Sequence, residues 1–426
     1  MKVREVAFKV LWDILHDDLY SNIALDKALR DEPLSIVDKK FLTMLVHGTL
    51  QRYSSLEYEV EKVTKGKLVK GKMKLMLIMS LYQLRYMDKT PSYAIINEAV
   101  EYMKNLDGKQ AANFTNGVLR TLTRENHKPK VADLPNYLQY LSIAGNTPMF
   151  ICKMWNSQYG SDITKEIIKV NLKEAPFSVR VNSLKTTKEK LLEGEFEEGK
   201  LAPSALIYQG NKRISDLDEF RNGELSVQDE SGQLVAYMLD PKEGEIILDM
   251  CAAPGSKTGH IAELMKNTGK IYALDLYEHR VKLLIDGMNR LGVKNVEARA
   301  MDATNMDFDK EMFDRILLDA PCSGLGVVRR KPDILRKITP ERMDSIISDQ
   351  AKLLESADKH LKVNGTLVYS TCTINKNENE KQVAKFIENH PNYSLVEEKV
   401  IFPYEYDSDG FYIAKLVKGE SHAYIL

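Results

Sequence analysis

Two cysteines stand at matching points in the carboxyl-terminal half of the chain. Cys322 ends the apolar run of LLDAPCSGLG, and Cys372 ends that of LVYSTCTINKNENE. A single buried cysteine is usually a small core hydrophobe. Here two of only four fall just past consecutive apolar runs, one after Asp-Ala-Pro and one after Ser-Thr, which points instead to nucleophilic chemistry. Methylating an exocyclic amine needs no thiol, because its lone pair is already nucleophilic. A carbon such as C5 of a pyrimidine does need one. A thiolate adds to C6 and makes C5 enamine-like, C5 takes the methyl group, a base removes the C5 proton, and the thiolate departs. With a thiol pKa of about 8.5, only a few per cent is thiolate near neutral pH. An acid such as Asp319, in DAPC, would assist by hydrogen bonding the ring as charge develops at N3. The residues leave open which thiol attacks.

Groups of this kind must be delivered by strands. From residue 226 onward the apolar runs EIILDM, KIYALDL, VEARAMD, FDRILLDAP and GTLVYSTC alternate with amphipathic segments of helical length. That alternation predicts a mostly parallel sheet with helices on both faces. YSLVEEKV and GFYIAKLVK then predict an antiparallel hairpin at its edge. Ligands of such sheets bind at the carboxyl ends of the strands.

The first run ends in DMCAAPGSKTGHIA. Its turn, Cys251, Ala252, Ala253, Pro254, Gly255, Ser256 and Lys257, lets the backbone approach a ligand, and the next helix offers its N-terminus to an anionic group. The turn is neither GxGxxG nor a Walker A loop, which disfavours dinucleotides and nucleoside triphosphates. Asp275, 26 residues after Asp249, suits ribose hydroxyls. Asp302 ends the third run, where an adenine would lie, and Asp319 ends the fourth. Each acid alone could be a turn residue. Together they point to S-adenosylmethionine. Of the other cysteines, Cys251 lies inside this loop and Cys152 in a helical apolar stretch, which suits packing.

The front of the chain is different. REVAFKVLWDILHD places Val6, Val10, Leu11, Ile14 and Leu15 on one helical face, and the habit recurs to residue 128 without strand-like alternation. LMLIMSLYQL (75–84) is too short to span a membrane and predicts a buried helix. KVTKGKLVKGKMK (62–74) holds six lysines and no acid, a loop or helix end that is either a phosphate contact or a solvated face. Residues 1–130 carry a net +6 and the remainder −7, consistent with a polyanion held at one end. ENHKPKVADLP (125–135) marks a boundary. Residues 136–225 mix helix and strand signals and predict a small α+β domain, and 226–426 form the last domain.

Apolar residues are 43% and charged residues 28%, ordinary for a globular protein. The cysteines are too few and scattered for a disulfide scaffold and lack zinc-ligand spacing, so no metal is expected. The N-terminus is not a signal peptide, and a cytoplasmic protein without a membrane partner is expected.

DMCAAPGSKT, LDAPCSGLGVVRRKPDI and STCT…NE resemble the RNA cytosine-C5 methyltransferase family with paired Pro-Cys and Thr-Cys motifs. RVN (180–182) and DGFYIAKL match it too. INEAVEYMK and FTNGVLR in the helical front resemble the domain of the antitermination factor NusB. The combination is similar to the bacterial ribosomal members of the family. It implies a Rossmann-like α/β methyltransferase domain preceded by an all-α NusB-like domain and a small α+β middle domain that also contacts RNA. It further implies an enzyme that uses S-adenosylmethionine to methylate C5 of one cytosine of small-subunit ribosomal RNA, position 967 in the standard RNA numbering; a monomer is expected, although the sequence does not give the oligomeric state. By the same resemblance Cys372 is the nucleophile, Cys322 assists breakdown of the adduct, and Asp319 and Lys257 complete the catalytic set. Two positions depart from the family pattern. Ser256 replaces the second glycine of the cofactor loop, and Thr373 replaces the serine after Thr-Cys. Another reading of the chain is an RNA-binding assembly factor with weak catalysis.

Overall fold

The amphipathic spacing of the first residues forms the helices it predicts. Val3–His16 buries Val6, Ala7, Phe8, Val10, Leu11 and Ile14. Gly71–Tyr86 buries every residue from Leu75 to Gln83, so the apolar run LMLIMSLYQL lies inside a helix of the core. In this computed structural model the residues described are 3–17, 19–65, 69 and 71–420. Two compact units result: Met1–Glu174 with Val328–Ile338, and Ala175–Val327 with Thr339–Leu426.

The first unit is helical among its described residues. Its core gathers Leu11, Leu45, Leu56, Leu77, Met103 and Leu119 from successive helices. Ser92–Arg124 bends at Gly108, whose φ of 84° favours a residue without a Cβ. The lysine run joins the helix Tyr53–Thr64 to the helix Gly71–Tyr86. Within it Lys74 pairs with Glu57 and Glu61, and the Lys72 ammonium lies 5.5 Å from the Trp12 ring centre. Lys67 and Lys70, part of the expected RNA contact, lie outside the described residues. Three further helices, Tyr137–Ala144, Met149–Tyr159 and Ser161–Asn171, belong to this unit. The region 136–225 thus contributes these three helices to the first unit, and its strands with the short helices Lys188–Leu192 and Asp218–Arg221 to the second.

A segment from much later in the chain completes the first unit. Asp333, 1% exposed, accepts from the backbone and hydroxyl of Ser21 at the start of the helix Ser21–Asp31. Arg336 stacks 3.9 Å from the Tyr53 ring centre, and Arg329 donates to the carbonyl of Glu174.

The second unit holds two sheets. The smaller contains β1 (Ser178–Val181), β2 (Phe196–Glu198), β3 (Ala205–Tyr208) and β4 (Leu225–Val227), antiparallel in the order β2-β3-β1-β4. The larger contains β5 (Ile246–Asp249), β6 (Lys270–Asp275), β7 (Val296–Ala300), β8 (Phe313–Asp319), β9 (Leu361–Thr371), β10 (Tyr393–Ile401) and β11 (Phe411–Lys418). Its order is β10-β11-β9-β8-β5-β6-β7. Strands β5 to β9 run parallel, and the β10–β11 hairpin adds antiparallel to β9 at the edge, as the short connection between its two runs predicts. The chain leaves β5 towards β6 and β7, then returns to β8 and β9 on the other side. That reversal opens a crevice at the carboxyl ends of β5 and β8. No described helix is long and apolar enough to cross a membrane.

Candidate active site

The carboxyl end of β5 builds the first wall of the crevice. Asp249 is 1% exposed there, and its Oδ2 accepts from Thr258 at 2.7 Å. Burial pushes its carboxyl up to about 7. Its Oδ1 is buried without a hydrogen-bond partner. The following turn is held tightly: the Ala252 amide donates to Leu274 O at 2.7 Å, and the Gly255 amide to Ala252 O at 2.8 Å. The Ala253–Pro254 peptide is cis. Gly255 has φ 103°, and a Cβ on it would lie 3.1 Å from Leu284 and Met288. Ser256 is the first residue of the helix Ser256–Leu264 and has no positive φ. The serine in place of the family's second glycine therefore needs no glycine conformation. Cys251, in the same turn, is half-buried, and burial pushes its thiol up.

The neighbouring strand ends supply the other acids. Asp275 is 3% exposed, accepts from the Tyr277 amide at 3.2 Å and pairs with Arg280 at 3.1 Å. Arg280 also donates to Ala253 O at 2.9 Å, tying this acid to the turn. Asp302 is exposed, and its Oδ1 accepts from the backbone and hydroxyl of Thr304 at 2.9 and 2.7 Å. Those bonds hold its carboxyl below the usual range and brace its own turn. The donor set suits an S-adenosyl group: a ribose-type acid at β6, a turn of small residues, and an orphaned carboxylate oxygen beneath it.

The catalytic candidates meet one strand further on. Lys257 donates to Asp319 Oδ2 at 2.7 Å, and Ser370 donates to Asp319 Oδ1 at 2.8 Å. Burial works to lower the Lys257 pKa, but the Asp319 carboxylate overrides it and holds the ammonium above its ordinary value. The β8–β9 register aligns Asp319 with Ser370. Cys322 and Cys372 therefore leave adjacent strands at the same level, and their sulfurs stand 3.2 Å apart. Both side chains are half-buried. The facing Cys372 sulfur, and then burial, push the Cys322 thiol well up. Cys152 is far from this chemistry in kind: it is fully buried in the helical unit and donates to Thr147 O.

Beneath the thiols lies a polar cluster that sequence reasoning missed. Glu378, fully buried, accepts from the Ser323 amide at 2.8 Å, the Ser323 hydroxyl at 2.5 Å, Asn375 at 3.0 Å and Gln350 at 3.3 Å. Burial pushes its carboxyl up against those bonds. Ser323 and Thr373 share a bond of 2.8 Å, so the residue after each cysteine touches the other. Asn379 donates to Thr373 O at 2.9 Å and accepts from Thr371 at 2.6 Å. The available signal was NKNENE itself, a polar run directly after a fully buried strand. Among the described residues no three His, Cys, Asp or Glu side chains form a metal cluster.

Comparisons with known proteins agree along the whole chain. Residues 236–417 match the family described as "16S rRNA methyltransferase RsmB/F", residues 1–124 the NusB family, and residues 147–209 a ferredoxin-like domain of RsmF/B-like methyltransferases. The chain is 38% identical to a probable ribosomal RNA small subunit methyltransferase B of Bacillus subtilis, over 98% of both chains. It is 34% identical to a ribosomal RNA small subunit methyltransferase B of Serratia proteamaculans, over 93% of both. Among solved structures it resembles PH0851 with a TM-score of 0.82, at 25% identity over 98% of this chain and 99% of that one. It also resembles a methyltransferase homolog from Pyrococcus horikoshii, with a TM-score of 0.60 at 28% identity over 67% of this chain and all of the other.

Proposed function

The chain belongs to the 16S rRNA methyltransferase RsmB/F family, and we propose that it methylates C5 of one cytosine, position 967 in the standard RNA numbering, through a bond between Cys372 Sγ and C6. It is an rRNA methyltransferase with S-adenosylmethionine as its cofactor. The observation that carries the finer reading is the 3.2 Å contact between two thiols at the ends of adjacent parallel strands.

When bound, S-adenosylmethionine supplies an electrophilic methyl group. Asp275 would hold its ribose, Asp302 would flank its adenine, and the turn 251–257 above Asp249 would receive its charged tail. The chain's own residues perform the remaining steps. We assign the proton of the 3.2 Å contact to Cys322, whose S–H would then stabilise a thiolate on Cys372. That thiolate adds to C6. The charge that develops at N3 needs a donor, and Lys257 is the cation in place; Asp319, already paired with it, is an acceptor suited to the exocyclic amino group. Once Cys372 is bonded to carbon, its sulfur is neutral and no longer holds the Cys322 proton; that proton leaves to solvent, and Cys322, now a thiolate, becomes the base. It takes the C5 proton, the C6–S bond breaks, and its electrons return to Cys372.

Residues 1–128, with their basic balance, and residues 136–225 are proposed to contact the RNA, 226–426 to perform the transfer, and the enzyme to act as a cytoplasmic monomer. The test is transfer of labelled methyl to deproteinised small-subunit RNA from a strain lacking this gene, with mapping of the product. Label at a cytosine other than 967 would overturn the position. Label on nitrogen would overturn the covalent route.

A further inference from the structure

The stretch Arg180-Val181-Asn182 plays no part in the chemistry above, yet two of its side chains are wholly buried and heavily bonded. Arg180 sits on β1 of the small sheet. Its Nη1 donates to Ser256 O at 2.6 Å and to Gln228 Oε1. Its Nη2 and Nε donate to the two carboxylate oxygens of Glu263 at 2.5 and 3.3 Å. Ser256 is the first and Glu263 the penultimate residue of the helix that starts at the cofactor turn and carries Lys257. Asn182 donates to Gly223 O at 2.7 Å and to Leu291 O at 2.9 Å. Leu291 ends the helix Glu278–Leu291, whose Leu284 and Met288 press on Gly255 and whose Arg280 holds Ala253 O.

Arg180 on β1 and Asn182 just past its end thus grip both helices that wall the turn. A buried ion pair is a costly way to pack helix on sheet, because apolar residues of similar volume generally stabilise at least as well. A guanidinium fork does what an apolar side chain cannot: it fixes one carbonyl and one carboxylate at set angles to each other.

We propose that Arg180 and Asn182 are positioning residues for the methyl donor: the small sheet sets the turn 251–257 and the Lys257 side chain in their binding geometry. This rests on the assignment of that turn to S-adenosylmethionine.

The test uses the full chain, with calorimetric affinity for S-adenosylmethionine and the thermal unfolding midpoint read side by side. Arg180→Met should weaken affinity roughly tenfold or more and lower the midpoint. Arg180→Met with Glu263→Met removes both buried charges and should restore the midpoint, while affinity stays weak. Affinity that returns with the midpoint overturns the proposal, since Arg180 would then serve stability alone. Should the double variant not fold, Arg180→Lys keeps a charge against Glu263 but loses the fork, and wild-type affinity in it overturns the proposal equally. Asn182→Ala should weaken affinity severalfold with Arg180 intact, and unchanged affinity removes Asn182 from it. Asp275→Ala separates the two levels of the argument. If it binds weakly while the Arg180 variants bind normally, only the positioning role fails. If all bind normally, the cofactor assignment itself fails.

Discussion

The backbone amide of Gly326 donates to the carbonyl of Cys372 at 3.0 Å, and the Gly326 carbonyl accepts from the Gly410 amide at 2.8 Å. Three loops are thereby stitched together: the one after Cys322, the one after Cys372 and the one leading into β11. A Cβ on Gly326 would lie 1.9 Å from Gly410 O and 2.8 Å from Cys372 O, so the backbone must part to admit it.

Gly326→Ala should therefore displace Cys372 and lower the rate of methyl transfer by roughly 10²-fold, the cost of a misplacement near 1 Å. Cofactor affinity should be unchanged. Single-turnover kinetics beside calorimetry checks this, and an unaltered rate would show that the loops can separate freely.

The two thiols should fail in opposite ways. Cys372→Ala should give no methyl transfer and no RNA–protein bond. Cys322→Ala should attack and methylate, then stall with RNA on Cys372, because the C5 proton is not removed. A denaturing gel with RNA and cofactor should show a slow band for Cys322→Ala only. A band with Cys372→Ala instead would exchange the roles.

Glu378→Ala leaves buried donors on Ser323, Asn375 and Gln350 without their acceptor. Stability should fall by about 2–4 kcal/mol, and adduct formation should slow even where the fold persists. Urea unfolding together with the adduct gel reads both. A stable and fully active variant would make the cluster dispensable.

Asp249 confers a pH dependence. Its folded pKa of about 7 lies above the unfolded value of about 3.9. Proton uptake therefore stabilises the fold; the gain is complete below about pH 4 and lost as pH rises through 7. Between pH 8 and 5.5 the cofactor-free protein should gain about 2 kcal/mol from this group. Asp249→Asn should remove that gain, visible as a flatter plot of unfolding midpoint against pH. Parallel plots for the two proteins would refute it.

Converting Lys65, Lys67, Lys70 and Lys72 to Gln should weaken RNA binding and reduce its salt slope by about 0.7 for each phosphate that the run no longer neutralises. Cofactor affinity should hold. An unaltered slope makes the run a solvated face.

The strand ends were legible because period and run length are local properties. The apolar runs ending at Asp249, Asp275, Asp319, Cys322 and Cys372 all became strand ends or the turns just beyond them. Pairings across the fold were not legible. Nothing local pairs Lys257 with Asp319, 62 residues on, or sets one sulfur 3.2 Å from the other. Asp302 was legible as a strand-end acid, but not that Thr304, two residues on, would engage its carboxylate. Glu378 escaped for a different reason. NKNENE has the composition of a solvated loop, and only the burial of the strand before it turns Asn375, Glu378 and Asn379 inward.

The docking of Val328–Ile338 onto the helices has a consequence for how this protein can be taken apart. The backbone passes between the two compact units three times, after residues 174, 327 and 338. A protease nick near residue 174 leaves the halves joined through the other two crossings. A gene fragment that stops there produces helices without the carboxylate that Ser21 binds or the guanidinium that covers Tyr53. The helical half is therefore not a cassette that one cut can lift out.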